Sequence, residues 1–280
     1  MEYERNHYVP VWLSSHWQGG ADNRLTLFQR HQGVLHQDRK PASAVCYSRG
    51  IYVTHDLADS ARDVSVERDF FTSEVDTPGA QVHRLMLGDG LSSLDAAQRG
   101  YWAQFLVAQY MRVPRTLQKL DAIALLALDE QLKDLPSELK VGDITLHEIR
   151  PLADRKLARG GLPAFIQQDR LFDEMRQGYW DVRKIAANCP TTLLIGDHPL
   201  ISRGSRQSGY EVMLPLAPRA VFIKSPTKAR RRELLGGTDE GFVKRTNLET
   251  VTFASRYVMS DDESQFRFVD RHLRATPDTV

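Results

Sequence analysis

The stretch from Ser93 to Val113 constrains the fold most. Trp102, Phe105, Leu106, Tyr110 and Val113 recur there at helical spacing, and Pro114 ends the run. Ser92 and Ser93 are candidate N-caps, and Asp95 in the first turn favours the helix dipole. This predicts a helix with one buried face. At about 100° per residue, Gln109 falls in the centre of that face and Arg112 at its edge, beside Phe105. A buried Gln needs hydrogen-bond partners, and an Arg at the edge of a core usually meets a carboxylate or phosphate.

Short β-rich runs flank the helical middle. On the N-terminal side are Tyr8-Val9, Arg24 to Arg30, and Ile51 to Thr54. In the second of these, Leu25 and Leu27 alternate with Thr26 and Phe28, which predicts a half-buried strand. On the C-terminal side, Thr191 to Ile195 is a continuous apolar run, predicting a fully buried strand. Tyr210 to Leu216 and Arg219 to Lys224 are joined tightly by Ala217-Pro218, which predicts an antiparallel hairpin. Further helices are expected over Asp121 to Leu135, Leu152 to Gln168 and Leu171 to Asn188. Phe242 to Tyr257 reads as a last helix or extended segment, and the tail after Ser260 as frayed. Strands, then helices, then strands argue for an α+β fold: a mixed or antiparallel sheet from both chain ends, packed with a central helical bundle. The chain reads as a single domain over residues 1–280, with its helical region at about 91–188.

Charge and cysteine content narrow the setting. Lys plus Arg is 37 and Asp plus Glu is 36, a formal net charge of +1, which excludes a strongly basic chromosomal coat or an acidic tail protein. No apolar run approaches the roughly 20 residues that span a bilayer, so no membrane partner is expected. The first ten residues carry two Glu and no apolar core, unlike a signal peptide. Cys46 and Cys189 lie far apart without C-x-x-C spacing, so two free, packed thiols and a cytoplasmic setting are expected.

Four groups of residues have the types that carry chemistry. The first is Asn6-His7-Tyr8-Val9-Pro10. Pro10 holds Val9 extended, and the stiff segment that results could orient the His7 imidazole. The alternative is that His7 and Tyr8 are packed residues bonded to backbone. The second is Gly196-Asp197-His198-Pro199, just past the buried apolar run. Asp197 and His198 could act as carboxylate and base or as metal ligands, or the segment could be a turn in which Asp197 bonds its own backbone. The third is Gln109 with Arg112 and Arg115; an Arg112–Asp197 pair would be either a structural ion pair or the anion-binding half of a site. The fourth is the basic run of Arg219, Lys224, Lys228, Arg230, Arg231 and Arg232, six cations in fourteen residues. It reads as a phosphate or nucleic-acid surface or as a solvated loop. Asp197 and Lys224 could belong to a divalent-metal nuclease site, with Glu211 or Glu74 as a second carboxylate. No Walker loop, G-x-G-x-x-G, H-E-x-x-H or G-x-S-x-G occurs.

These groups also recur together in a known pattern. His7-Tyr8-Val9-Pro10 is followed by Trp12-Leu13, and the middle helix reads Phe105-x-x-x-Gln109-x-x-Arg112-x-Pro114. Ile195-Gly196-Asp197-His198-Pro199, then Pro215-Leu216-Ala217-Pro218, Asn247 and Ala254-Ser255-Arg256-Tyr257 come in order after them. In this the chain resembles the family called domain of unknown function 4238, over about Asn6 to Ser260. Gly196 and His198 stand where the family usually has Ser and Asn, so a role for that hydroxyl or amide does not carry over. The resemblance implies no settled activity, but it groups polar residues at positions 7, 109, 112, 197 and 247 as a shared site or a shared buried network.

Two functions are expected. The first is a phosphoester hydrolase, nuclease-like, acting on nucleic acid or a nucleotide, with Mg²⁺ or Mn²⁺ as its metal. His7 would be its general acid/base, Asp197 a metal ligand or base, and Arg112 a phosphate clamp. Tyr8, Gln109, Arg115, His198, Lys224 and Asn247 would contact substrate. The second is a non-catalytic binding or regulatory module that contacts an anionic partner.

Overall fold

The computed structural model describes residues 5–55, 61–133, 136, 140–141, 144–145, 156–167, 169–205 and 207–274. Its strands are β1 (Arg5–His7), β2 (Leu25–His31), β3 (Val34–Lys40), β4 (Tyr47–Arg49), β5 (Thr54–His55), β6 (Arg62–Asp63), β7 (Lys140–Val141), β8 (Ile144–Thr145), β9 (Tyr179–Lys184), β10 (Ile195–Gly196), β11 (Ile201–Ser205), β12 (Gly209–Ala217), β13 (Ala220–Ser225) and β14 (Tyr257–Ser260). Its α-helices are α1 (Val11–Ser14), α2 (Thr77–Gly88), α3 (Ala96–Met111), α4 (Pro114–Leu132), α5 (Leu162–Ile166), α6 (Asp169–Arg176), α7 (Lys228–Leu235), α8 (Asp239–Phe253) and α9 (Phe266–His272). Val66–Asp76 is a π-helix that runs directly into α2.

The architecture is α+β with antiparallel sheets. Among the described residues there are two four-stranded sheets, ordered β10-β14-β2-β3 and β11-β12-β13-β9. The first joins both chain ends, because β14 pairs with β2 in the register Val258↔Phe28 and Met259↔Leu27. In the second, β12 and β13 form the hairpin expected around Ala217-Pro218. All six residues of β13 are buried, because both faces of its sheet are covered. On one face Phe222 meets Trp102 of α3, with ring centroids 5.6 Å apart. On the other, Val221 and Ile223 pack with Phe242 and Val243 of α8. Each such buried apolar side chain contributes roughly 2 kcal/mol. The same α8 places Val251 against Phe28 and Val258 of the first sheet, so one helix backs both.

Several elements differ from the sequence expectation. The N-cap of α3 is Asp95, which forms a capping box with Gln98, rather than Ser92 or Ser93. Strand β2 is buried on both faces, since Leu25 and Leu27 enter the main core while Phe28 meets Val269 of α9. That helix stands where a frayed tail was expected. The helix expected over Leu171 to Asn188 stops at Arg176, and Gly178, at φ 85°, turns the chain into β9. A Cβ on Gly178 would lie 2.6 Å from the Ser225 carbonyl oxygen, which excludes any other residue. The apolar run Thr191 to Ile195 is buried at Leu193, Leu194 and Ile195, but only Ile195 enters a strand. Parts of the expected 121–135 and 152–168 helices, and Met1 to Glu4, lie outside the described residues. No helix among the described residues is long and apolar enough to cross a membrane.

Candidate functional site

The His7-Tyr8-Val9-Pro10 segment is held from both sides. Strand β1 pairs His7 with Tyr47, and the Tyr8 amide donates to the Cys46 carbonyl at 3.0 Å. Pro10 then opens α1. The His7 Nε2 lies 3.1 Å from the Ser43 carbonyl, and its ring is half-buried beside Tyr47. Tyr8 is buried; its carbonyl accepts from Gln109 Nε2 at 2.8 Å, and its hydroxyl bonds the Cys46 sulfur. Burial drives the Tyr8 phenol far above its ordinary value, so it is no acid in solution terms.

Arg112, 1% exposed, organises what lies beneath. It is the C-cap of α3. Its Nε and Nη2 donate to Gln109 Oε1 at 2.9 and 2.6 Å, and its Nη1 donates to both Asp76 carboxylate oxygens at 2.8 and 3.1 Å. The guanidinium lies between the Phe71 and Phe105 rings, and its own carbonyl accepts from the Tyr52 hydroxyl at 2.8 Å. The expected Arg112–Asp197 pair is therefore corrected to Arg112–Asp76. Its donors are spent inside the protein, so the expected role of phosphate clamp is closed to it.

Asp76 and Glu67 were not singled out from the sequence, and the π-helix explains why. They are nine residues apart, which on an α-helix puts them on opposite faces. Bonding from i to i+5 widens the turn to roughly four and a half residues, so nine residues make two turns and return to one face. Hydroxyls support the wider winding: Thr72, Ser73 and Thr77 donate to the carbonyls of Glu67, Arg68 and Thr72, each five residues back, at 2.9, 3.3 and 2.8 Å. Arg112 acts electrostatically on His7, Glu67 and Asp76 alike.

The proton affinities in this cluster follow from burial. Glu67 is pushed up to about 7, chiefly by burial; Arg112 opposes the rise, Asp76 adds to it, and a bond from Asn6 opposes it. One Glu67 oxygen, Oε2, is buried without a hydrogen-bond partner. Burial raises Asp76 as well, against the pull of the Arg112 guanidinium. Burial lowers His7, and Arg5 and Arg112 lower it further, so its imidazole is neutral at pH 7. The cluster reaches solvent: the Asp76 side chain is 25% exposed, and His7 and Glu67 are part-exposed. A carboxyl that takes up its proton near pH 7 and an imidazole held below its ordinary value thus face the same Arg112–Asp76 pair. Among the described residues no group of three or more His, Cys, Asp or Glu could hold a metal ion, so the Mg²⁺ or Mn²⁺ expectation finds no ligand set in them.

The other expected site residues lie elsewhere. Asp197 is buried, and its carboxylate accepts from the backbone amides of Ser255, Arg256 and Tyr257 at 2.7, 2.7 and 3.1 Å. Burial still carries it to about 6, against those bonds. Asn247 Oδ1 accepts from the Leu194 amide at 2.9 Å, and its Nδ2 donates to the Thr192 carbonyl and to Gln265 Oε1 at 2.9 and 2.7 Å. These are backbone clamps. His198 stacks on Phe253 and has a buried, unpartnered Nδ1; burial brings it down to about 4, with Arg115 and Lys119 acting in the same sense. Arg115 itself is exposed. Lys224 is buried and donates to the Tyr210 carbonyl at 2.7 Å. The structure thus gathers His7, Tyr8, Gln109 and Arg112, sets Asp197 within electrostatic reach of Tyr8 and Cys46, brings His198 near Arg115, and leaves Lys224 and Asn247 apart. Within the basic run Arg230 pairs with Glu211 and Glu233 and Arg231 with Asp181, while Arg219 donates to the Ala186 and Cys189 carbonyls.

Comparison with known proteins places the chain. No curated protein and no solved structure matches it. A family model described as "Protein of unknown function (DUF4238)" matches residues 5–264. That span holds every residue of the cluster, and the chain belongs to the DUF4238 family.

Proposed function

We propose that the protein is a phosphoester hydrolase acting on nucleic acid or a nucleotide by general acid–base catalysis at His7 and Glu67. The observation that carries this reading is Glu67, whose Oε2 is buried without a hydrogen-bond partner and whose proton affinity lies near 7, beside the Arg112–Asp76 pair that also acts on His7. In the step, a water oxygen attacks phosphorus while His7 takes the water's proton. The bond to the leaving oxygen breaks, and Glu67 gives that oxygen its proton. Solvent then returns His7 and Glu67 to their starting states. Each transfer is worth about 10²–10⁴-fold. Arg5, exposed over the Tyr47 ring, is the cation available to an anionic substrate, while Arg112 and Asp76 are positioning residues. A cytoplasmic setting belongs to the same proposal, supported by two free, buried cysteines.

One observation favours the second reading, a non-catalytic module for an anionic partner. Gln109, Asp197 and Asn247, all within the shared motifs, are committed to backbone. Incubating the purified protein with RNA, DNA, nucleotides and bis(p-nitrophenyl) phosphate, with and without Mg²⁺ or Mn²⁺, separates the two. The hydrolase reading expects turnover that falls about 100-fold in His7→Ala and in Glu67→Gln, both still folded. Salt-dependent binding with no product, or turnover indifferent to both substitutions, overturns it.

A further inference from the structure

A cleft of about 510 Å³ lies where α7 and α8 meet the strands β11 and β12. It is within the size range of small-molecule sites. Four arginines line it: Arg203, Arg230, Arg232 and Arg245. So do three carboxylates, but two of the arginines already hold all of these. Arg203 pairs with Glu249, and Arg230 takes both Glu211 and Glu233. Arg245 donates only to the Gly236 carbonyl, at 3.3 Å, and Arg232 has no partner among the described residues. The cleft therefore keeps two guanidiniums without a carboxylate partner, and its four arginines outnumber its three glutamates. Arg232 stands on α7, and Arg245 reaches the turn between α7 and α8, where Gly237 has φ 85° and its carbonyl accepts from Arg183 Nη2 at 3.2 Å. A Cβ there would come within 3.8 Å of the Arg245 guanidinium nitrogens. Met213 and Phe242 give the same cleft an apolar wall.

We infer that this cleft binds a small phosphomonoester, its dianionic phosphate held by Arg232 and Arg245 and its body laid against the Met213–Phe242 wall. Two unmatched planar guanidiniums suit a two-charge, multi-oxygen anion, which can take paired N–H donors from each. The wall favours a ligand larger than the bare ion. The cleft shares no residue with the cluster around His7 and stands independently of the hydrolase reading.

Isothermal titration at low salt tests it, with AMP as probe and adenosine and inorganic phosphate as controls. AMP should bind, adenosine should not, and phosphate should bind more weakly than AMP. Arg232→Ala and Arg245→Lys should each weaken AMP by about tenfold or more, and Lys228→Ala on the same helix should leave it unchanged. Absence of AMP binding, equal binding of adenosine, phosphate binding without AMP, or unchanged affinity in both folded arginine variants would overturn the assignment.

Discussion

Asp197 and Glu67 are two buried carboxyls that burial shifts in the same direction, yet their surroundings treat them oppositely. Asp197, beyond the end of β10, receives three backbone amides and has nothing left to offer a ligand. Glu67, in the first turn of the π-helix, keeps one oxygen buried with no partner and lies beside a charged pair that reaches solvent. A buried carboxyl saturated by backbone holds a loop in place. One left partly unsatisfied stores free energy that a proton or a substrate can release.

The largest expected effect comes from removing the cation that both sides of the cluster depend on. Arg112→Ala leaves Asp76 and Gln109 without their donor inside the core, and a broken buried pair costs about 3–5 kcal/mol. Urea unfolding measures it; a loss below about 1 kcal/mol would show that the cluster is not held by Arg112. Next comes Asp197→Ala, which unpairs three amides and should cost about 2–3 kcal/mol. With phosphoester turnover per folded molecule unchanged, that loss would sharpen the contrast. A selective loss of turnover would break it.

The most specific effect is a dependence on pH. Glu67 sits at about 7 in the folded chain against 4.5 when free, so the folded state holds a proton that the unfolded state has released between those values. Stability from this group is therefore full below about pH 4.5 and falls as pH rises towards 7, by up to about 3 kcal/mol. Asp197 tilts stability the same way, whereas His198, lowered to about 4, tilts it the other way. The difference between parent and Glu67→Gln isolates the single carboxyl. The variant should gain stability relative to the parent as pH rises from 4.5 to 7. A pH-independent difference would mean that Glu67 ionises normally.

Much of the fold was legible because it rests on local pattern. Pro114 marked the end of α3, Ala217-Pro218 marked the hairpin, and the flanking β-rich runs pointed to a sheet made from both chain ends. Thr191 to Ile195 was legible as buried but not as irregular, since its backbone partners come from far away. The Leu193 carbonyl accepts from Trp17 Nε1 at 2.7 Å, the Leu193 amide reaches the Pro218 carbonyl, and the Leu194 amide reaches Asn247. His7, Gln109 and Arg112 were legible as parts of one neighbourhood. Their carboxylates were not, because Glu67 and Asp76 share a face only at the π-helical repeat. The run of Thr72, Ser73 and Thr77 is the one local signal of that winding, and it is weak without coordinates.

The pairing of β14 with β2 has a consequence for how the chain is made. Residues 25–40 form a hairpin whose β2 edge stays open until residues 257–260 have been synthesised. During translation the nascent protein thus carries an unclosed sheet through most of its length, a state prone to mispairing and suited to chaperone capture. Final closure depends on contacts spanning more than two hundred residues, which makes it a slow step.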